Sequence, residues 1–185
     1  MPAKIEKIEC KFIGEFKVGD NLVRNADALC KLSAGNENGV FNKLMVIQAG
    51  SIVEAALNEI IYRAQNFNKE KVTNISEADR KAIAAKDIDK FYTIIEAMKK
   101  YKILDGLGAG IYDELHKIRK YRNKVHIQAD VDITGVSRDE NTAFSTSIVT
   151  WSLGLTLRVL KHLNAQYPRP KELDQFSSGL SIPDA

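Results

Sequence analysis

The chain predicts an all-α fold, a single-domain helical bundle of about five helices. Three observations carry this. Apolar residues recur at intervals of three and four through long segments. Short glycine-rich or polar stretches, SAGNENG at 33–39 and LDGLGAG at 104–110 among them, punctuate those segments. Strand-like alternation is confined to two short runs, Ile8/Cys10/Phe12 and Ile127/Ala129/Val131/Ile133, which permit a minor β ribbon.

The first helix is expected to start after Gly19, with Asp20 or Asn21 as cap, and to run to about Leu32 with Leu22, Ala26 and Leu29 on one side. The second spans roughly 40–66, with Val40, Leu44, Ile47, Ile52, Ala56, Glu59/Ile60 and Arg63 tracing a broad inward face. Its segment LMVIQAGSIVEAALNEII is apolar nearly all round and should form the central helix of the bundle. Ser76 is the expected N-cap of a third helix reaching about Tyr101. The fourth covers about 109–126 and the fifth about 139–166, stopping before Pro168. The core is thus about 20–166 of one domain over 1–185, and the polar tail 168–185 is expected to be loose.

At 185 residues the chain suits one domain with a full core. Its 44% hydrophobic and 28% charged residues are ordinary for a soluble protein. No uninterrupted apolar run of membrane-spanning length and no signal-peptide core is visible, so the expected location is cytoplasmic, without a membrane partner. Cys10 and Cys30 are widely spaced and read as reduced thiols. No cofactor or metal is expected. The three histidines, His116, His126 and His162, are scattered without ligand-spaced acids, and the glycine-rich loop lacks the lysine and hydroxyl of a phosphate-binding loop. Neither Asp87/Asp89 nor Glu54/Glu59 has a spacing that asks for catalysis.

The net charge of +3 is small, but its distribution is uneven. Residues 98–126 hold eight Lys/Arg against three acids, Asp105, Asp113 and Glu114. Within this region, ELHKIRKYRNKVHIQ at 114–128 places Arg119, Arg122, Asn123 and His126 at helical offsets that share a face. Ile111, Leu115, Ile118 and Val125 lie at heptad spacing, and Arg122 takes the place in that stripe where another apolar residue would belong. Burying an arginine alone is costly, so it needs an acid, a cavity, a phosphate or a subunit interface. Guanidiniums can hold phosphate oxygens, an amide can orient a substrate, and an imidazole can move a proton near neutrality. As structure only, the same residues read as a helix ion pair and a C-terminal cation favoured by the dipole.

The run Arg122-Asn123-His126 resembles the signature of the HEPN superfamily (higher eukaryote and prokaryote nucleotide-binding), helical bundles marked by an arginine, a small polar residue and a histidine with four to six residues between. Three residues separate Arg122 from His126 here, one short of the pattern, and six separate Arg119 from His126. The resemblance implies a metal-independent endoribonuclease in which Arg122, Asn123 and His126 are catalytic. His126 would serve as general acid or base, Arg122 would stabilise the phosphoryl oxygens, and Asn123 would orient the phosphate or the histidine. Arg119, Lys120 and Tyr121 would bind substrate. Glu54 is the proposed partner of Arg122, because it is an acid in the otherwise apolar central helix and HEPN-like bundles often carry an acid there. The resemblance further implies a homodimer with a composite site, RNA or a nucleotide as ligand, and a toxin or defence setting. No nucleotidyltransferase signature is present, so any antitoxin would be a separate chain. The alternative is a non-catalytic module of the same family that binds a nucleotide or RNA, or dimerises.

Overall fold

In the computed structural model, which describes residues 4–14, 17–66, 70, 72–125, 135–172 and 179–184, the chain is an all-α bundle with a short two-stranded ribbon. The elements run β1 (Lys4–Ile8), α1 (Lys17–Ala34), α2 (Asn42–Asn66), α3 (Glu77–Ala84), α4 (Phe91–Lys100), α5 (Ile111–Asn123), α6 (Glu140–Ala143), α7 (Thr146–Gln166) and β2 (Leu180–Asp184).

Helix α2 is central, packing against α1, α3, α4, α5 and α7. Its buried side is Met45, Val46, Ala49, Ile52, Val53, Ala56, Leu57, Ile60, Ile61 and Ala64. Val40 and Leu44, expected inside, are exposed. A segment apolar nearly all round leaves its rotation to the neighbours that pack on it, so the first turn could not be oriented from pattern alone. The segments 42–66 and 140–166 are long and apolar enough to cross a membrane by length and composition, but more than half of each apolar window is buried in the bundle. That is the behaviour of core helices.

Two expected helices are broken. The third divides into α3 and α4 at 85–90, where Asp87 and Asp89 are poor helix formers whose side chains compete for backbone groups. Ser76 caps α3 as expected, accepting the Asp79 amide at 3.1 Å. At the start of α4, Thr93 Oγ1 accepts the Lys90 amide at 3.2 Å and donates to the Lys90 carbonyl at 2.8 Å. The fifth divides at Phe144–Ser145. Phe144 turns its ring into the core, its carbonyl accepts Asn42 Nδ2 at 2.8 Å, and extended Ser145 opens α7.

The ribbon also differs from expectation. β1 pairs antiparallel with the C-terminal β2, Ile8 opposite Leu180 and Lys4 opposite Asp184. The loose-tail expectation therefore fails for 180–184, because Leu180 and Ile182 supply a period-two apolar face that is fully buried against α1 and α7. The run at 127–133, the expected strand partner, lies outside the described residues.

Candidate functional site

Helix α5 ends at Asn123, with Lys124 as C-cap. Lys124 is buried, and its Nζ donates to the Ser137 carbonyl and, at 3.4 Å, to that of Arg138. Val125, expected to continue the apolar stripe, is exposed because the helix has already ended.

Arg122 interrupts the stripe as the sequence indicated, and it meets an acid from α2. Its guanidinium Nη2 donates to Glu54 Oε2, forming an ion pair, while Nη1 donates to Asn123 Oδ1 at 3.2 Å. The Glu54 side chain is 17% exposed and that of Arg122 is 36% exposed, so the pair sits at the rim of the core. The Phe91 backbone amide, at the start of α4, also favours the ionised form of Glu54. Burial raises its pKa above the usual carboxylate range, opposed by the Arg122 charge and by these hydrogen bonds. A glycine permits the approach of the helices. A Cβ placed on Gly50 would lie 3.0 Å from Arg122 Cβ and 3.5 Å from Ile118 Cγ1.

Arg119 and Lys120 are half-buried, and among the described residues neither has a carboxylate partner. The guanidinium of Arg119 lies over the Tyr92 ring, 5.3 Å from its centroid. Lys120 lines a cleft of about 310 Å³ with Asp113, His116, Lys117, Gly135 and Val136. Tyr121 does not belong to a substrate surface. It is 3% exposed, packed edge-on to Phe144 at 5.7 Å and tilted to Trp151 at 6.0 Å. Tyr112 is core as well, its hydroxyl donating to Asp105 Oδ1 at 2.7 Å. His126 lies outside the described residues, three positions beyond exposed Asn123.

Much of the basic excess near α5 serves packing. Lys117 Nζ stands 4.3 Å from the Trp151 ring centroid, and Lys100 Nζ 4.9 Å from that of Tyr101. Glu114 accepts Arg158 Nη2 at 2.5 Å and Trp151 Nε1 at 3.0 Å, fixing α5 to α7.

Sequence reasoning missed the seam between α4 and α5. His116 Nε2 is 3.0 Å from Glu96 Oε1, and its ring lies 5.5 Å from that of Tyr92. The available signal was periodic: Tyr92 and Glu96 are four apart on α4, and His116 and Arg119 three apart on α5. Their pairing depends on how the two helices pack, which one-dimensional spacing does not contain. No group of three His, Cys, Asp or Glu side chains placed to hold a metal ion occurs among the described residues.

A second charged cluster sits inside the bundle. Arg169 donates to Glu70 at 2.6 Å and to Glu59 at 3.4 Å, and Arg63 Nη1 donates to the Tyr167 carbonyl at 2.7 Å, all four charged side chains being buried. The cluster anchors the segment after α7 to the end of α2.

No family model, curated protein or solved structure matches the chain.

Proposed function

We propose that this chain is an RNA-directed, metal-independent endoribonuclease of HEPN-like design that acts in the cytosol as a homodimer. The observation that carries the reading is the Arg122–Glu54 pair. An arginine in the apolar stripe of α5 is held by an acid from the central helix, directly before Asn123 and four residues before His126. Glu54 fixes one edge of the guanidinium, and its partial exposure leaves it within reach of a phosphodiester.

In this reading the ribose 2′-hydroxyl attacks the adjacent phosphorus and the bond to the 5′-oxygen breaks. The products are a 2′,3′-cyclic phosphate and a 5′-hydroxyl. His126 takes the 2′-hydroxyl proton, and His126 of a second copy protonates the leaving oxygen, so two motif helices complete one site. Arg122, aided by Arg119, stabilises charge on the phosphoryl oxygens, and Asn123 orients the phosphate. The chemistry suits a toxin or defence nuclease, whose antitoxin would be a separate chain.

The test is incubation of the wild type and His126→Ala with a mixed structured and single-stranded RNA pool in EDTA, with product ends mapped. Cleavage by wild type alone, leaving cyclic phosphates, supports the proposal; intact RNA in both samples overturns it in favour of the second reading. That reading is a non-catalytic nucleotide- or RNA-binding module. It is favoured by the neutralisation of Arg122 by Glu54, which weakens its pull on a second anion.

A further inference from the structure

The two arginines of α5 differ in what they leave open. Arg122 is ion-paired to Glu54, whereas Arg119 has no carboxylate partner among the described residues. The Arg119 Nε is buried and makes no hydrogen bond. One turn earlier, His116 Nε2 is engaged by Glu96, and its Nδ1 is also buried without a partner. Both side chains lie against the same ring, Tyr92. Two nitrogens without hydrogen-bond partners on neighbouring turns, one of a permanent cation and one of an imidazole, are the complement of an oxyanion.

Two hollows flank the His116–Glu96 contact, one on each side. The cleft of about 310 Å³ beside His116 brings in Lys117 and Lys120, with Asp113 the single acid on its lining among the described residues. On the α3 side, a groove of about 370 Å³ has Ile83, Ile88, Ala97 and Tyr101 among its walls and Lys100 at its edge. Tyr92 and Glu96 line that groove, so the Tyr92–Glu96–His116 unit is the wall between an apolar hollow and a basic one. The groove has the size of a small-ligand site, and Tyr92, 52% exposed, presents an aromatic surface to it. Flat aromatic heterocycles stack on such surfaces whatever their sequence.

We infer that the α4–α5 seam binds one ribonucleotide unit, its phosphate held by Arg119, His116 and Lys120 and its base in the groove beside Tyr92. Glu96 is a positioning residue that orients the imidazole. The choice of a ribonucleotide over a free phosphate rests on the RNA-directed reading above. The site itself does not use His126.

The test uses the full chain carrying His126→Ala, so that binding is separated from cleavage. Titration calorimetry with AMP, CMP, GMP and UMP is compared with inorganic phosphate and with adenosine, and NMR follows the Tyr92 and His116 ring signals. Expected is saturable binding of at least one nucleotide that shifts both rings, at least about tenfold tighter than phosphate or adenosine. Arg119→Gln and Tyr92→Ala, each checked for an unchanged melting curve, should each weaken it by about tenfold or more, and Glu96→Gln by less. Absence of binding by all four nucleotides at millimolar concentration overturns the site. Equal binding of phosphate and nucleotide, indifferent to Tyr92→Ala, overturns the nucleotide assignment. Because the protein used lacks His126, failure here leaves the cleavage proposal standing, and failure of cleavage leaves this site standing.

Discussion

Arg122 on α5 and Glu54 on α2 form an ion pair where Gly50 lets the two helices touch. One carboxylate therefore joins two helices. Removing the arginine leaves a largely buried charge without its cation. Arg122→Ala should cost about 1–3 kcal/mol in urea unfolding at pH 7, the range for a buried group stripped of a partner. Since burial already raises the Glu54 pKa, loss of the cation raises it further. An acid whose folded pKa is raised loses stability as pH climbs from its unfolded pKa through its folded one. The penalty of the substitution should thus be largest at neutral pH and fade below about pH 4, where the carboxyl is protonated in both states. An equal penalty at both pH values would mean that the pair contributes packing and not charge.

The contact at Gly50 and the open space at Gly154 predict opposite signs for the same substitution. Gly50→Ala places a methyl 3.0 Å from Arg122 Cβ, an atom close to the backbone that can move only if α5 moves. Overpacking of about 1–3 kcal/mol outweighs the helix preference of about 1 kcal/mol. Gly154 in α7 has nothing within 4 Å of its added Cβ, so Gly154→Ala should stabilise by about 0.4–1 kcal/mol. Thermal melts of the two variants should move in opposite directions.

The interior cluster of Glu59, Arg63, Glu70 and Arg169 is a stability element. Arg169 is the common partner of both carboxylates, and its side chain is 3% exposed. Arg169→Met should destabilise by about 3–5 kcal/mol, the cost of stranding buried charge. Burial raises the Glu59 pKa despite Arg169, so the loss should again shrink toward acid pH. Denaturant curves for the variant at pH 7 and pH 4 measure both effects.

Both cysteines report on the C-terminal strand. Cys10 Sγ donates at 3.6 Å to the carbonyl of Ile8, the residue opposite Leu180 in the ribbon, and Cys30 Sγ donates to the Ser181 carbonyl at 3.2 Å. Burial pushes the Cys10 thiol up to about 12, and that of Cys30 is raised as well. Thiolate is the reactive form, so Cys10 should resist an aromatic disulfide reagent at pH 8 in the native protein. Truncation after residue 178 should expose both thiols and accelerate labelling. If labelling is unchanged, β2 does not cover them in solution.

The helical class, the central place of α2, the Ser76 cap and the Arg122–Glu54 pairing were legible because each follows from local pattern or from the cost of an unmatched charge. The pairing of β1 with β2 was not. Five residues at each end of the chain must meet through a partner face on α1 and α7, and alternation in LSIPD is too short to stand out from a polar tail. The breaks at 85–90 and 144–145 were obscured by helical periodicity on both sides. The Tyr92–Glu96–His116–Arg119 seam required knowing which faces of α4 and α5 meet.

Tyr121 shows how a residue type can mislead, since a tyrosine beside two basic residues suggests base stacking while its ring lies in the core. Among the described residues its hydroxyl has no hydrogen-bond partner, and burial raises its pKa. Removing the hydroxyl alone deletes a polar group without an identified partner, so Tyr121→Phe should leave stability within about 1 kcal/mol. Tyr121→Ala removes the ring between Phe144 and Trp151 and opens a cavity beneath α7, which should cost about 3–5 kcal/mol. If Tyr121 instead stacked on RNA, Tyr121→Ala would weaken RNA binding while sparing the melting temperature. Melting curves and RNA titrations on the two variants, with Tyr92→Ala as the surface counterpart, separate these roles. The core placement requires the stability loss at Tyr121 and the binding loss at Tyr92.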